Sequence, residues 1–157
     1  MRRVKDRDTA PERAVRRLIW SLGGRYRLNR ADLPGKPDIV LAARRLAIFV
    51  HGCFWHGHDC PRGARVPQTN RDYWLGKIAA NRRRDMAALA ALEAAGWRVE
   101  TVWECALKDP ATLRNRAEAW MSIGPPRHAE GKTMRTIGEG GEADGSAVGM
   151  MNSTSRP

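Results

Sequence analysis

Ten consecutive residues, HGCFWHGHDC at 51–60, hold three of the four histidines and two of the three cysteines of the chain. At the average density of those residue types, a ten-residue window would hold fewer than one, so the cluster demands a chemical reason. Cysteine and histidine are the preferred donors of zinc, and a structural zinc site closes a tetrahedron of four. Cys53, His58 and Cys60 offer three local donors, and Cys105, the one cysteine elsewhere, is the natural fourth. His56 stands three residues after Cys53 and could replace His58, and Asp59 could bind weakly through oxygen; spacing alone leaves that choice open. Closure by four donors leaves no thiolate free to act as a nucleophile.

Such a loop must be carried by a core, and 157 residues suffice for one domain. A helix is expected from Thr9 or Pro11, because Thr9 and Glu12 have capping-box spacing and Ala14, Val15, Leu18, Ile19 and Leu22 recur at helical intervals before Gly23-Gly24. Strands are expected around 25–28, at 37–42 and at 46–50, the last two joined as a hairpin by Ala43-Arg44-Arg45. A long helix follows from Asp72 to Ala95, with an apolar stripe of Leu75, Ile78, Leu89 and Leu92, a basic side of Lys77 and Arg82–Arg84, and Gly96 as its stop. RVETVWE at 98–104 alternates as a strand, with Val99, Thr101 and Trp103 on one side. Pro110–Met121 reads as the closing helix, and Trp20, Trp97, Trp103 and Trp120 as core. The order predicts an α/β fold with a mixed central sheet flanked by helices.

The chain carries a formal charge of +11, which favours an acidic partner, with nucleic acid first. Residues 128–157 hold three basic and four acidic side chains, so the positive charge belongs upstream. That final stretch opens after Pro125-Pro126 and is rich in Gly, Ser, Glu and Thr. The expected division is therefore a folded domain over 1–125 and a disordered tail over 126–157. No apolar run reaches the ~20 residues of a membrane helix. The basic N-terminus lacks the apolar stretch of a signal peptide, so a cytoplasmic protein with reduced thiols is expected.

Two further groups carry chemistry. In Leu33-Pro34-Gly35-Lys36-Pro37-Asp38 a turn delivers a carboxylate to the start of a strand, where it can hold a hard cation such as Mg²⁺. The neighbouring strand would bring His51 and the Val50 carbonyl to the same point. Aromatic residues are interleaved with the basic charge: Phe54 and Trp55 sit inside the cysteine–histidine loop and Tyr73-Trp74 open the basic helix. A loop that spends its residues on metal donors has little room to bury two large rings, so exposure for base stacking or intercalation competes with packing. Lys77 and Arg82 are candidates for phosphate contact, although arginine runs on helices commonly face only water. Glu12, read alone, is a carboxylate that complements a helix N-terminus.

Together DTAPE, PGKPDIV, IFVHGCFWHGHDC, YWLGKIAANRRRD and GWRVETVWECAL resemble the very-short-patch-repair (Vsr) DNA mismatch endonucleases, over about residues 1–122. The resemblance implies a zinc-containing variant of the restriction-endonuclease fold. It implies an enzyme that nicks duplex DNA 5′ of the mispaired thymine in T:G mismatches, which arise when 5-methylcytosine deaminates. It implies Mg²⁺ on Asp38 and the Val50 main-chain oxygen, His56 as general base, and His51 and Glu12 in support. Zinc falls to Cys53, His58, Cys60 and Cys105, and Phe54, Trp55 and Trp74 become the wedge in the DNA stack. A functional link to a cytosine-5 methyltransferase and a monomeric state are further expectations. Val50 stands where some members carry Thr, and Gly57 predicts a looser loop than a histidine would give. A restriction-like nuclease acting on fully paired sites and a non-catalytic zinc-stabilised DNA-binding module are the alternatives.

Overall fold

The computed structural model describes residues 8–124. The expected tail at 126–157 lies outside those residues, as do Arg2, Arg3, Lys5 and Arg7, the basic side chains on which any N-terminal clamp in the minor groove would depend.

Helix α1 spans Ala10–Ser21 and begins as its sequence requires. Thr9 caps it, accepting from the Glu12 N–H, while the Glu12 carboxylate reaches back to the Thr9 N–H, the reciprocal arrangement that satisfies two otherwise unpaired donors. Val15 and Ile19 are buried on its inner face. The sheet has four strands in the order β1 (Arg27–Leu28), β2 (Ile39–Leu41), β3 (Leu46–His51) and β4 (Arg98–Trp103). The first three are antiparallel neighbours, and β4 runs parallel to β3. The expected hairpin between β2 and β3 is present and turns through a short 3₁₀ segment, Ala42–Arg44, with Arg45 left-handed.

Helix α2 spans Arg71–Ala94 and α3 spans Pro110–Ser122. After α2, Gly96 adopts φ +76°, and the N–H groups of Gly96 and Trp97 donate to the carbonyls of Glu93 and Leu92. That paired closure needs a residue without a Cβ penalty at the left-handed position, which glycine supplies. The core gathers Val15, Ile19, Ile39, Leu41, Leu46, Ile48, Val102, Leu113 and Trp120 between the sheet and helices α1 and α3. Alternation along β4 sends Val102 into this core, whereas Trp103 and Thr101 face the side on which α2 lies.

Two expectations about packing are overturned. Trp20 is 66% exposed, because it projects from α1 on the side of Arg13 and Arg17 and not from the Val15–Ile19 face; its ring meets that of Tyr26 edge-on. On α2, Ile78 and Leu92 are buried but Leu75 and Leu89 are exposed. Of a stripe that is regular in sequence, only Ile78, which packs on the loop at Gly57, and Leu92 are covered. Trp97 and Trp103 are half-buried, and Trp120 is buried. No helix among the described residues is long and apolar enough to cross a membrane.

Candidate active site and metal centre

The site is built where β3 ends. Because β2 runs antiparallel to β3, the start of β2 meets the end of β3, and Asp38 Oδ2 accepts a hydrogen bond from the Val50 N–H at 2.7 Å. The carboxyl lies in a cleft of about 900 Å³ that Glu12, Val50, His51, His56 and Trp55 also line. Burial pushes its pKa up to about 6; the Val50 hydrogen bond opposes the shift and the nearby Glu12 charge adds to it. Glu12 itself is 3% exposed, accepts from the Asp8 and Thr9 N–H groups and the Thr9 hydroxyl, and pairs with Arg16 at 2.8 Å. One carboxylate therefore caps α1 and also walls the cleft, so the two readings of Glu12 are compatible.

His51 ends β3, and its ring stacks on that of His56 with centroids 3.8 Å apart and planes 5° from parallel. Burial, reinforced by the neighbouring His56, pulls the His51 pKa down to about 4. His56 Nδ1 meets Asp85 Oδ2 at 2.6 Å. Asp85, on α2, is the site residue that sequence reasoning missed. The available signal was a carboxylate closing a run of three arginines, one helical turn after Asn81. Asn81 also lines the cleft and donates to the Trp55 carbonyl at 2.7 Å, so α2 grips the loop at two places.

The loop after β3 turns through Gly57, whose φ is +61°. A Cβ there would stand 2.6 Å from Ile78 Cγ2, so the loop packs tightly on α2, contrary to the looser turn expected of glycine. The turn separates the two histidine roles. His56 faces Asp85, while His58 joins Cys53, Cys60 and Cys105 in a group whose donor atoms all lie within 4.8 Å of one another. Cys105 arrives from the 3₁₀ turn after β4, with its Sγ 3.4 Å from His58 Nδ1. Bonds of about 2.3 Å to sulfur and 2.0 Å to nitrogen set tetrahedral donors roughly 3.5 Å apart, so the group fits a zinc ion. The Gly63 N–H, 3.3 Å from Cys60 Sγ, holds that thiol down to about 6, whereas burial pushes Cys53 up to about 11. Asp59 is exposed and outside the group.

Phe54, Trp55 and Trp74 form one edge-to-face cluster, with ring centroids 5.1–5.9 Å apart, and Tyr73 extends it. Trp55 is 36% exposed and lines the cleft. Lys77 lies over the Tyr73 ring at 5.7 Å, beside this cluster. Arg82 borders a second cavity behind His56 and does not line the cleft.

A mixed sheet carrying this cleft on its strand ends has the fold of an endonuclease catalytic domain. The catalytic domain of the homing endonuclease I-Bth0305I superposes with a TM-score of 0.50, covering 72% of this chain and 94% of that one at 20% identity. The sequence is more specific. The DNA mismatch endonuclease Vsr family model matches residues 1–62. The type II nicking enzyme V.XorIIP of Xanthomonas oryzae pv. oryzae is 55% identical over 116 residues, 74% of this chain and 85% of that protein. The DNA mismatch endonuclease Vsr of Escherichia coli is 42% identical over 126 residues, 77% and 80% of the two chains. The type II nicking enzyme V.NmeAIP of Neisseria meningitidis is 44% identical over 116 residues, 74% and 82%. The chain belongs to the Vsr family of DNA mismatch endonucleases and is an endodeoxyribonuclease.

Proposed function

We propose that the enzyme nicks duplex DNA 5′ of the mispaired thymine in T:G mismatches. The observation that carries this reading is one loop, residues 52–58, that presents a histidine oriented by Asp85 and, within two residues of it, Phe54 and Trp55, which cluster with Trp74 and of which Trp55 lines the same cleft. Hydrolysis and the sensing of a deformable base step then share one rigid element. Asp38 and the Val50 carbonyl would hold Mg²⁺, which when bound supplies positive charge to the scissile phosphate. Asp85 accepts the Nδ1 hydrogen of His56 and leaves Nε2 free to take a proton from the attacking water. His51, kept neutral by burial and stacked on His56, fixes the plane of that ring. Cys53, His58, Cys60 and Cys105 would hold zinc and so fix the loop. The same reading expects a cytosine-5 methyltransferase as functional companion, a monomer, and Lys77 and Arg82 near the DNA backbone.

The test is a labelled duplex with one T:G mismatch and its T:A control, in varied sequence contexts, with Mg²⁺ or with chelator. A Mg²⁺-dependent nick beside the mispaired thymine alone is expected. Equal cleavage of both duplexes would favour the restriction-like alternative, and binding with no cleavage the non-catalytic one.

Phe54→Ala should weaken binding to the T:G duplex by about tenfold, the scale of ~1–3 kcal/mol for a lost base stack, and change T:A binding much less. An equal loss on both duplexes would mark Phe54 as a packing residue only.

The raised pKa of Asp38 sets a pH dependence. The folded state protonates at about 6, above the unfolded value of 3.8, so the stability this proton contributes is complete below 3.8 and lost as pH rises through 6. At pH 7.5 the buried charge is a cost that a cation offsets; at pH 5 the cation must first displace the proton. Apparent Mg²⁺ affinity should therefore be about tenfold weaker at pH 5 than at pH 7.5, as read by the Mg²⁺ dependence of thermal stability. Equal affinities at the two pH values would remove Asp38 from the cation site.

A further inference from the structure

His51, His56 and Asp85 offer one donor atom each, and these atoms all lie within 4.8 Å of one another. All three residues line the active cleft and also the second cavity, of about 610 Å³, that lies behind it. The trio thus forms a wall with open space on both sides. Asp38, the carboxylate read as the Mg²⁺ ligand, is not part of it. Two imidazoles and one carboxylate make a donor set for borderline transition ions, whereas Mg²⁺ prefers oxygen alone and retains its water.

We propose that His51, His56 and Asp85 form a second metal site, which takes a transition ion such as Zn²⁺ or Co²⁺ and switches the nuclease off. The switching part rests on the reading of His56 as general base; the binding part stands on the cluster geometry. Two adjustments accompany binding. The rings lie 5° from parallel, so one must tilt out of the stack for both to direct a lone pair at a common ion. The His56–Asp85 contact must open from 2.6 Å to about 3 Å, the separation that donors take around an ion bound at ~2.0–2.1 Å. The Nδ1 hydrogen of His56 leaves to solvent and Nε2 takes one up in exchange, so the ring stays a neutral imidazole with the ion in place of the Nδ1 hydrogen and no lone pair left at Nε2 for the attacking water. Bound this way, His56 has lost the orienting hydrogen bond and the alignment that let it accept a proton from water. Open positions on both faces admit water to complete the coordination shell, as in sites with three protein donors.

The test uses the full chain loaded with one equivalent of zinc, titrated with Co²⁺. The expected result is a second equivalent with visible d–d absorption but no thiolate-to-cobalt charge-transfer band, not displaced by millimolar Mg²⁺. The band should be lost in His51→Ala and Asp85→Ala and retained in Asp38→Ala, each variant being checked for native circular dichroism. Micromolar Zn²⁺ should slow wild-type nicking at least about tenfold in millimolar Mg²⁺, because nitrogen donors select the transition ion. Absence of a second equivalent overturns the site. So does a second equivalent that Mg²⁺ displaces or that Asp38→Ala removes, since the ion would then occupy the Mg²⁺ position. Binding with undiminished nicking overturns the switch. Should His51→Ala and Asp85→Ala fail to fold, the Mg²⁺ competition on the wild-type protein decides alone. A wild type that nicks no duplex would overturn the function reading, and the spectra would still decide the site.

Discussion

Asp38→Asn is expected to abolish nicking, by about 10³-fold or more in single-turnover rate, while the protein folds and binds mismatched DNA nearly as wild type does. The substitution keeps the shape of the side chain and an oxygen that can accept the Val50 N–H, so the end of β2 stays tied to β3. What it removes is the negative charge. A hydrolysed phosphodiester accumulates charge in its transition state, and a cation positioned by a carboxylate is worth several kcal/mol there, with each 1.36 kcal/mol worth about tenfold. Stability should not fall. The carboxyl is buried enough to titrate at about 6, so at pH 7.5 its ionised form costs folding free energy that the neutral amide does not. A thermal midpoint equal to or above that of the wild type, together with a lost nick, is the signature. A variant that nicks within tenfold of the wild-type rate would mean that Asp38 only satisfies the Val50 N–H.

The parts of this molecule legible in its sequence are those encoded by neighbours in the chain. Thr9 and Glu12 announce the start of α1 because a cap needs only residues three apart, and Gly96 announces the end of α2 because its left-handed backbone is a local requirement. The density of Cys and His at 51–60 likewise points to a metal without any tertiary information. Asp85 was not legible, because its role depends on α2 crossing the loop at the one turn that puts its carboxylate on His56. Spacing alone did not divide the labour between His56 and His58, both at workable distance from Cys53, and only the family resemblance separated them; Gly57, packed on Ile78, turns the chain so that the two rings face different partners. Trp20 misled for the opposite reason. Its size favours burial in general, but on α1 it falls outside the face marked by Val15 and Ile19, and helical phase outweighs side-chain type.

Cys105→Ala should strip the protein of its zinc and lower its thermal midpoint by about 15 °C, the scale of ~3–5 kcal/mol in a domain of this size. Replacing a half-buried thiol by a methyl group costs little packing on its own, about 1 kcal/mol, so a larger drop reports the metal. The loop from Gly52 to Gly63 is tied to α2 near Trp55 and His56, through Asn81 and Asp85, but its second half, from His58 to Gly63, relies chiefly on the metal donors. Its internal backbone bonds are short-range turns, such as His58 N–H to the Cys53 carbonyl and Cys60 N–H to the His58 carbonyl, and among its side chains Cys53 alone is fully buried. Metal binding that assembles such a loop contributes its free energy directly to folding. The helices and sheet have their own core around Ile48 and Val102, so a cooperative but earlier transition is expected, not an unfolded chain. Two arms make the result decisive. A strong chelator should bring the wild type down to the midpoint of Cys105→Ala and leave the variant unmoved, and zinc content should fall from one equivalent to none. Because Phe54, Trp55 and His56 ride on the same loop, mismatch binding and nicking should be lost with the metal. Unchanged zinc content with a midpoint within a few degrees of wild type would remove Cys105 from the site, and the contact with His58 at 3.4 Å would then be packing only.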